Sequence, residues 1–411
     1  MSESRSSEFT LTVLIIGAMV LAIPVGLAAH SSEAIAELVP WVSWLGVLFK
    51  QLLLLIIYPL VLASMVVGVV NLGDIRKVGG LAIKGLIYFT VTTAIAVVIG
   101  LVMVNAFRPG DGVDLAIAGA VPERVMEGQT WGTFFLDMLK NTFKNPFASL
   151  SEGDVLAIIA FGLLLGAVIS TMGEEGRPLS SFFDALNRVM MRLTDWVMWL
   201  APAGVFALLV QVVASQGVDA LTAVGRYVLV VLAGLLLHGL VVLPLLGWLV
   251  GGVPPWRFFS GVRNAVAIAF STASSAATLP VTMESVENNL DVDPKVSGFV
   301  LPLGATINMD GTALYESVAA MFIAQAYGIE LDLGQQVLVF ITATTAAVGA
   351  AGIPGAGVIT MSLVLKAVGL PLEGIGLILA VDRILDMVRT TVNVVGDATG
   401  AVILHRITRQ G

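Results

Sequence analysis

Six polar residues interrupt an otherwise apolar, helix-like run near the end of the chain: Asp382, Asp386, Arg389, Thr390, Asn393 and Asp397. Counted from Asp382 they fall four, seven, eight, eleven and fifteen residues on. At about 3.6 residues per turn they line one stripe, while Ile384, Leu385, Val388, Val392 and Val395 mostly face elsewhere. Ionisable groups at membrane depth are costly unless paired, liganded or wetted, so by default they mark a substrate or ion path. Arg389 offers a planar, permanently charged fork that suits a carboxylate. Asp386 can accept from an ammonium group, and Thr390 and Asn393 add short hydrogen-bonding arms. The set matches a ligand with both a carboxylate and an amine; the alternative is that Asp386 and Arg389 form a structural buried ion pair.

Three further groups carry chemistry. In Asn308-Met309-Asp310-Gly311 the glycine permits an unwound backbone, and Asn308, Asp310 and Asp397 are amide and carboxylate oxygens of the kind hard cations prefer. Thr92 and Thr93 either add hydroxyl oxygens to that group or serve ordinary helix packing. The Ser274-Ser275 pair can present hydroxyls and backbone N–H groups to a second carboxylate at the positive end of a half-helix. A zwitterion with an acidic side chain therefore fits best. Glu316, on the same span as Asn308, is either a proton carrier or a permanently hydrogen-bonded structural residue. Lys50, Lys84 and Asp137 read as snorkelling or lining wet surface. His238 and His405 show no ligand companions and receive no role.

These groups need helices that cross a bilayer and helices that break inside it. Of the 411 residues 57% are hydrophobic and only 12% charged, where a soluble domain carries about 25%. The chain reads as an all-α polytopic membrane protein, and its net charge of −8 says little about partners. No nucleic-acid partner is expected. There is no cysteine, so disulfide and thiolate chemistry are excluded. Spans are expected over about 10–29, 39–72 (too long to cross untilted), 78–107, a broken region 133–172, a fifth span ending near 215, and 221–250. The polar start before residue 9 reads as leading into a retained first helix. Residues 173–192 read as a linker. The basic stretches 73–77, 173–192 and 252–263 put the N-terminus in the cytoplasm.

From Pro254 onward the pattern changes. Ser271-Thr-Ala-Ser-Ser-Ala-Ala-Thr-Leu-Pro280 and Ala350-Ala-Gly-Ile-Pro-Gly-Ala-Gly357 are small, polar, breaker-rich centres flanked by apolar halves too short to span. Each reads as a re-entrant hairpin, because irregular backbone survives at that depth only when buried in protein or lining a wet cavity. Each is followed by a motif-bearing span, first 304–311 and then 382–397. Paired interrupted segments in corresponding positions point to a transporter binding site.

Asn308-Met-Asp-Gly-Thr312, the serine-rich tip, Gly352-Ile-Pro-Gly-Ala-Gly357 and Asp386-Met-Val-Arg-Thr-Thr-Val-Asn-Val-Val-Gly-Asp397 together resemble the dicarboxylate/amino acid:cation symporter family. That family holds the prokaryotic glutamate/aspartate transporters and the mammalian excitatory amino acid transporters, and an archaeal member is a standard example of inverted repeats. The resemblance implies eight transmembrane helices plus two re-entrant hairpins, working as an elevator within a homotrimer in the cell membrane. Residues 1–77 would be scaffold helices 1–2, 78–107 transport helix 3, 108–215 scaffold helices 4–5 with a polar loop, and 216–411 the rest of the transport domain.

The same resemblance implies that Arg389 holds the substrate's side-chain carboxylate and Asp386 its amine. Ser274, Ser275, Met309, Thr312, Ile353, Gly357, Thr390 and Asn393 would complete the pocket. One sodium site would take Gly304, Asn308, Asn393 and Asp397, a second the backbone of Thr306, Ala347, Val348 and Ala350, and a third Thr92, Thr93, Asn308 and Asp310. Glu316 matches the proton carrier of the mammalian branch. Archaeal relatives carry an arginine before the serine run, where this chain has Ala273; Arg383 is expected to reach the tip and replace that charge. The implied activity is symport of glutamate or aspartate with Na⁺, H⁺ or both, with no enzyme activity and no cofactor beyond the coupling ion. Rival readings are a C4-dicarboxylate symporter, which leaves Asp386 without an amine, a neutral amino acid symporter, which leaves Arg389 unpaired, and an ion channel.

Overall fold

The computed structural model describes residues 2–71, 79–112, 136, 139–140, 142–152, 155–348 and 356–410. The basic loop 73–77, most of the polar stretch 108–132, Asp137, Ala350 and Ile353 lie outside that set. Among the described residues there is no strand. The longer helices are α1 (Ser2–Ser31), α2 (Val39–Asn71), α3 (Gly79–Phe107), α4 (Pro146–Glu152), α5 (Val155–Thr171), α6 (Arg177–Met198) and α7 (Ala201–Gln216). They continue with α8 (Val218–Leu237), a π turn (His238–Val242), α9 (Leu243–Leu249), α10 (Pro255–Thr272), α11 (Ser275–Leu290), α12 (Pro294–Ile307), α13 (Asp310–Ala326), α14 (Leu333–Val348), α15 (Ala356–Ala367) and α16 (Ile375–Gln410).

Among the described residues three stretches, Val13–Ser31, Ile83–Phe107 and Leu221–Leu249, are long and apolar enough to cross a membrane, and α6 with α7 is so as a pair bent by 57°. Shorter apolar helices include Ala157–Thr171 and Leu333–Ala347. The chain is a multi-pass membrane protein. α16, which carries the polar stripe, is buried at almost every position from Arg389 to Leu404.

The presumed linker 173–192 is instead largely helix. Arg177, Arg188 and Arg192 are the exposed face of amphipathic α6, whose Phe183, Thr194 and Val197 are buried. Asp184 and Arg188 pair one turn apart on that face, so charges that looked like a loop are the wet side of a helix.

Two packing groups emerge. In the first, α1 lies along α7, and α2 packs against α5, α6 and α7. Gly166 permits the α2–α5 approach, since a Cβ there would meet the Val66 carbonyl at 3.0 Å. In the second, α3, α8, α14, α15 and α16 surround α13, all of whose residues are buried, while α9 to α12 pack on α16. The groups meet where α7 touches α8 and α16 and where α15 touches α2 and α5. At one such contact Lys366 of α15 donates to the Tyr58 hydroxyl of α2 and sits 4.8 Å from its ring centre.

The first hairpin is real and antiparallel. Asn289 near the end of α11 donates to the Gly261 carbonyl near the start of α10 at 2.8 Å, and Arg257 pairs with Asp291 at 2.6 Å. Its non-helical tip is narrower than 271–280: Ala273 is left-handed at φ 51°, and Ser274 caps α11 by accepting from Ala277 N–H at 3.2 Å. Pro280 lies inside the returning helix. In the second hairpin α14 and α15 pack together, each too short to span about 30 Å.

The break between α12 and α13 falls at Asn308 and Met309, whose ψ values of 100° and 49° leave the helical region. The sequence reading credited Gly311 with this unwinding. Gly311 is instead helical and serves close packing: a Cβ there would stand 2.5 Å from the Arg389 carbonyl oxygen and 3.0 Å from its Cα. Both partners are backbone, so neither can yield. Gly311→Ala is expected to destabilise the protein by about 1–3 kcal/mol through overpacking, measured as a lower unfolding temperature in detergent.

Candidate functional site

Arg389 is the largest fully buried side chain, at 0% exposure in the middle of α16. A guanidinium there stays charged and must be compensated. Its Nη2 donates to Asp386 Oδ1 at 2.8 Å, and Nη1 stands 3.0 Å from Asp382 Oδ1 as an ion pair without hydrogen-bond alignment. Its plane lies 3.9 Å from the centre of the Tyr315 ring, a cation–π contact strengthened by exclusion of water. Across the site, α15 covers the fork: a Cβ on Gly357 would meet Nη1 at 2.6 Å. Nε and Nη1 donate no hydrogen bond, so the fork keeps donors for an anion.

Below the fork, Asn393 ties α16 to the broken span. Its Oδ1 accepts from Gly311 N–H at 2.8 Å, and its Nδ2 lies 3.4 Å from Thr312 Oγ1 and 3.2 Å from Met309 sulfur. The backbone carbonyl of Asn393 accepts from Asn308 Nδ2 at 3.2 Å, and Asp397 Oδ1 accepts from the same nitrogen at 2.8 Å. Gly304 closes this corner, because a Cβ there would collide with Asp397 Oδ1.

One turn of broken helix away, Asp310 is fully buried. Its Oδ1 accepts from Thr93 at 2.7 Å and Thr92 at 3.2 Å, and its Oδ2 lies 3.0 Å from His238 Nε2. Tyr88 donates its hydroxyl to the Gly396 carbonyl at 3.0 Å, and the space beside Gly396 is bounded by Asn308 Nδ2 and Asp310 Oδ2. Asn308 Oδ1 is buried with no hydrogen-bond partner. An orphaned amide oxygen among two buried carboxylates, hydroxyls and carbonyls is a donor set that fits a hard monovalent cation.

Glu316 is fully buried and neither carboxyl oxygen makes a hydrogen bond of ordinary geometry. Thr360 and Arg389 are the polar groups close enough to act on it. Among the other sequence-selected residues, Ser274 and Ser275 are buried at the hairpin tip, Thr390 is buried on α16, and Ala347 is buried on α14. Thr306 turns its hydroxyl back to the Pro302 carbonyl at 3.0 Å, and Val348 ends α14. Arg383 has its ion pair with Asp386 Oδ2, at 3.9 Å.

Sequence reasoning passed over His238, Tyr88 and Tyr315, and gave Asp382 no role of its own. His238, read as lacking companions, pairs with Asp310, and His405 accepts from Asp293 N–H at 3.2 Å through Nδ1. For His238 the available signal was a polar ring in an apolar span; for the tyrosines there was none, since they resemble ordinary core.

Residues 11–407 match the sodium:dicarboxylate symporter family. The chain is 36% identical to excitatory amino acid transporter 1 of Ambystoma tigrinum, covering 98% of this chain and 82% of the relative. It is 36% identical to excitatory amino acid transporter 2 of Mus musculus, covering 100% and 81%, and 37% identical to an excitatory amino acid transporter of Caenorhabditis elegans, covering 97% and 88%. Matched over nearly its whole length, the chain belongs to the sodium:dicarboxylate symporter family.

Proposed function

We propose that the protein is a sodium-coupled symporter of acidic amino acids, with glutamate and aspartate as its substrates. The observation that carries this reading is the fully buried Arg389 fork with free donors, bracketed by Asp386 and roofed by Gly357. A substrate carboxylate would take the guanidinium's unpartnered Nε–H, its ammonium group would face Asp386, and Thr312, Thr390 and Asn393 would orient it. Met309, the hairpin serines Ser274 and Ser275, and Ile353 would line the remainder. A C4-dicarboxylate supplies no amine for Asp386, and a neutral amino acid supplies no side-chain carboxylate for Arg389.

Sodium would be held by Asn308, Asp397, Asn393 and Gly304 in one site and by Asp310, Thr92, Thr93 and Asn308 in another. The orphaned Asn308 Oδ1 supports that assignment. A further site would use backbone oxygens of Thr306, Ala347, Val348 and Ala350. The ion supplies positive charge to a corner rich in oxygen and so ties substrate binding to the sodium gradient. Glu316 would carry a co-transported proton, which removes the cost of a buried carboxylate whose oxygens accept no well-aligned hydrogen bond.

Alternating access would move the second packing group against the first, as an elevator within a homotrimer in the cell membrane, with the N-terminus cytoplasmic. In favour of this is the grouping itself: α1, α2 and α4 to α7 pack among themselves, while α3 and α8 to α15 gather round α13 and α16. The layout would be eight spans with two hairpins, and Arg383 would steer the hairpin tip.

Four outcomes are expected in proteoliposomes with labelled substrate. An inward Na⁺ gradient drives accumulation of aspartate and glutamate by the wild type; a proton gradient that suffices without Na⁺ would overturn sodium coupling. Arg389→Lys, which loses the bidentate fork, raises the KM for acidic substrates about tenfold or more, and an unchanged KM would refute the assigned role. Glu316→Gln keeps Na⁺-driven uptake but loses its response to an imposed pH gradient, so an unaltered response counts against the proton role. Arg383→Ala changes KM or rate, and wild-type kinetics would remove it from the site.

A further inference from the structure

The span that carries His238 is not a continuous α-helix. It runs as α8, turns through the wider π geometry over His238–Val242, and resumes as α9. Such single π turns are uncommon and gather at functional sites, because the extra residue re-aims a side chain. Here the re-aimed residue is His238, which is buried at 0% exposure with Nε2 3.0 Å from Asp310 Oδ2, itself at 0%. Its Nδ1 is buried without a partner.

That asymmetry fixes the chemistry of the contact. A bare Nε2 lone pair would face a carboxylate oxygen and be repelled, so Nε2 carries the proton and donates, leaving Nδ1 as the unused acceptor. With Thr92 and Thr93 already on Oδ1, the third donor on Oδ2 stops the carboxylate from rotating. The same Oδ2 lies close beside Gly396 and the Asn308 amide, 3.4 Å from where a Cβ on Gly396 would sit. We propose that His238 is a positioning residue for the cation site, locking Asp310 so that its oxygens keep their aim at the Asn308–Gly396 corner. The proposal rests on the sodium reading above. Outer-shell hydrogen bonds to ligating carboxylates change ion affinity by about 10–100-fold when removed.

The test is the purified full-length protein in detergent, with unfolding temperature followed as Na⁺ replaces choline at constant ionic strength. Wild type should gain stability with a defined Na⁺ midpoint. His238→Leu should move that midpoint up about tenfold, whereas His238→Gln, whose amide nitrogen reaches the Nε2 position, should keep it. If His238→Leu does not purify, His238→Asn, whose amide stops short of Asp310, carries the same expectation. A purely structural histidine would lower the unfolding temperature in choline and leave the midpoint alone, which overturns the proposal. A wild type with no response to Na⁺ removes the sodium reading and this role with it; a responsive wild type with an unshifted variant removes the role alone.

Discussion

A guanidinium with no exposed surface is the constraint around which the rest is arranged. Arg389 cannot shed its charge, so α16 brings Asp382 and Asp386 to it, α13 lays the Tyr315 ring under it, and α15 approaches closely enough that only glycine fits at 357. Two carboxylates for one guanidinium leave the cluster formally over-compensated. A buried ion pair of this kind is poor value as a stabilising device, and its persistence at the centre of an apolar protein makes sense if a ligand with its own charges takes part.

Breaks in the helices follow from the same need. An intact α-helix spends its N–H and C=O groups on itself, so it has little to offer an ion. At Asn308 and Met309 the helical ladder is interrupted, and the Gly311 N–H beyond the break donates instead to the Asn393 side chain of α16. The left-handed Ala273 does the same for the first hairpin. Such irregular backbone is tolerable only inside protein, which is why α13, bearing the break, is also the helix buried on every side.

Much of this was legible in the sequence, for reasons that can be stated. Polar residues in an apolar run at helical spacing have one geometric solution, so the stripe from Asp382 to Asp397 could be read directly. The break in Asn-Met-Asp-Gly was also visible, although its cause was assigned to the wrong residue: whether a glycine serves backbone freedom or close approach depends on what lies across from it, here the Arg389 main chain. His238 was illegible because its partner is 72 residues away on another helix, and its aim depends on a π turn that local composition does not announce. The charges of α6 misled because a short run of arginines looks alike in a loop and on the wet face of a helix.

Asn393 touches both halves of the site. Its side chain holds Gly311 and faces Thr312, while its main-chain carbonyl holds Asn308. A residue shared in this way makes the two occupancies a single thermodynamic system. Whatever factor an ion contributes to the affinity for the organic ligand, the ligand must return to the affinity for the ion, because the coupling free energy belongs to the pair. Reciprocity of that kind is what allows a gradient of one solute to be exchanged for accumulation of another, and with the ligands placed as proposed it would pass through one amide side chain and one carbonyl.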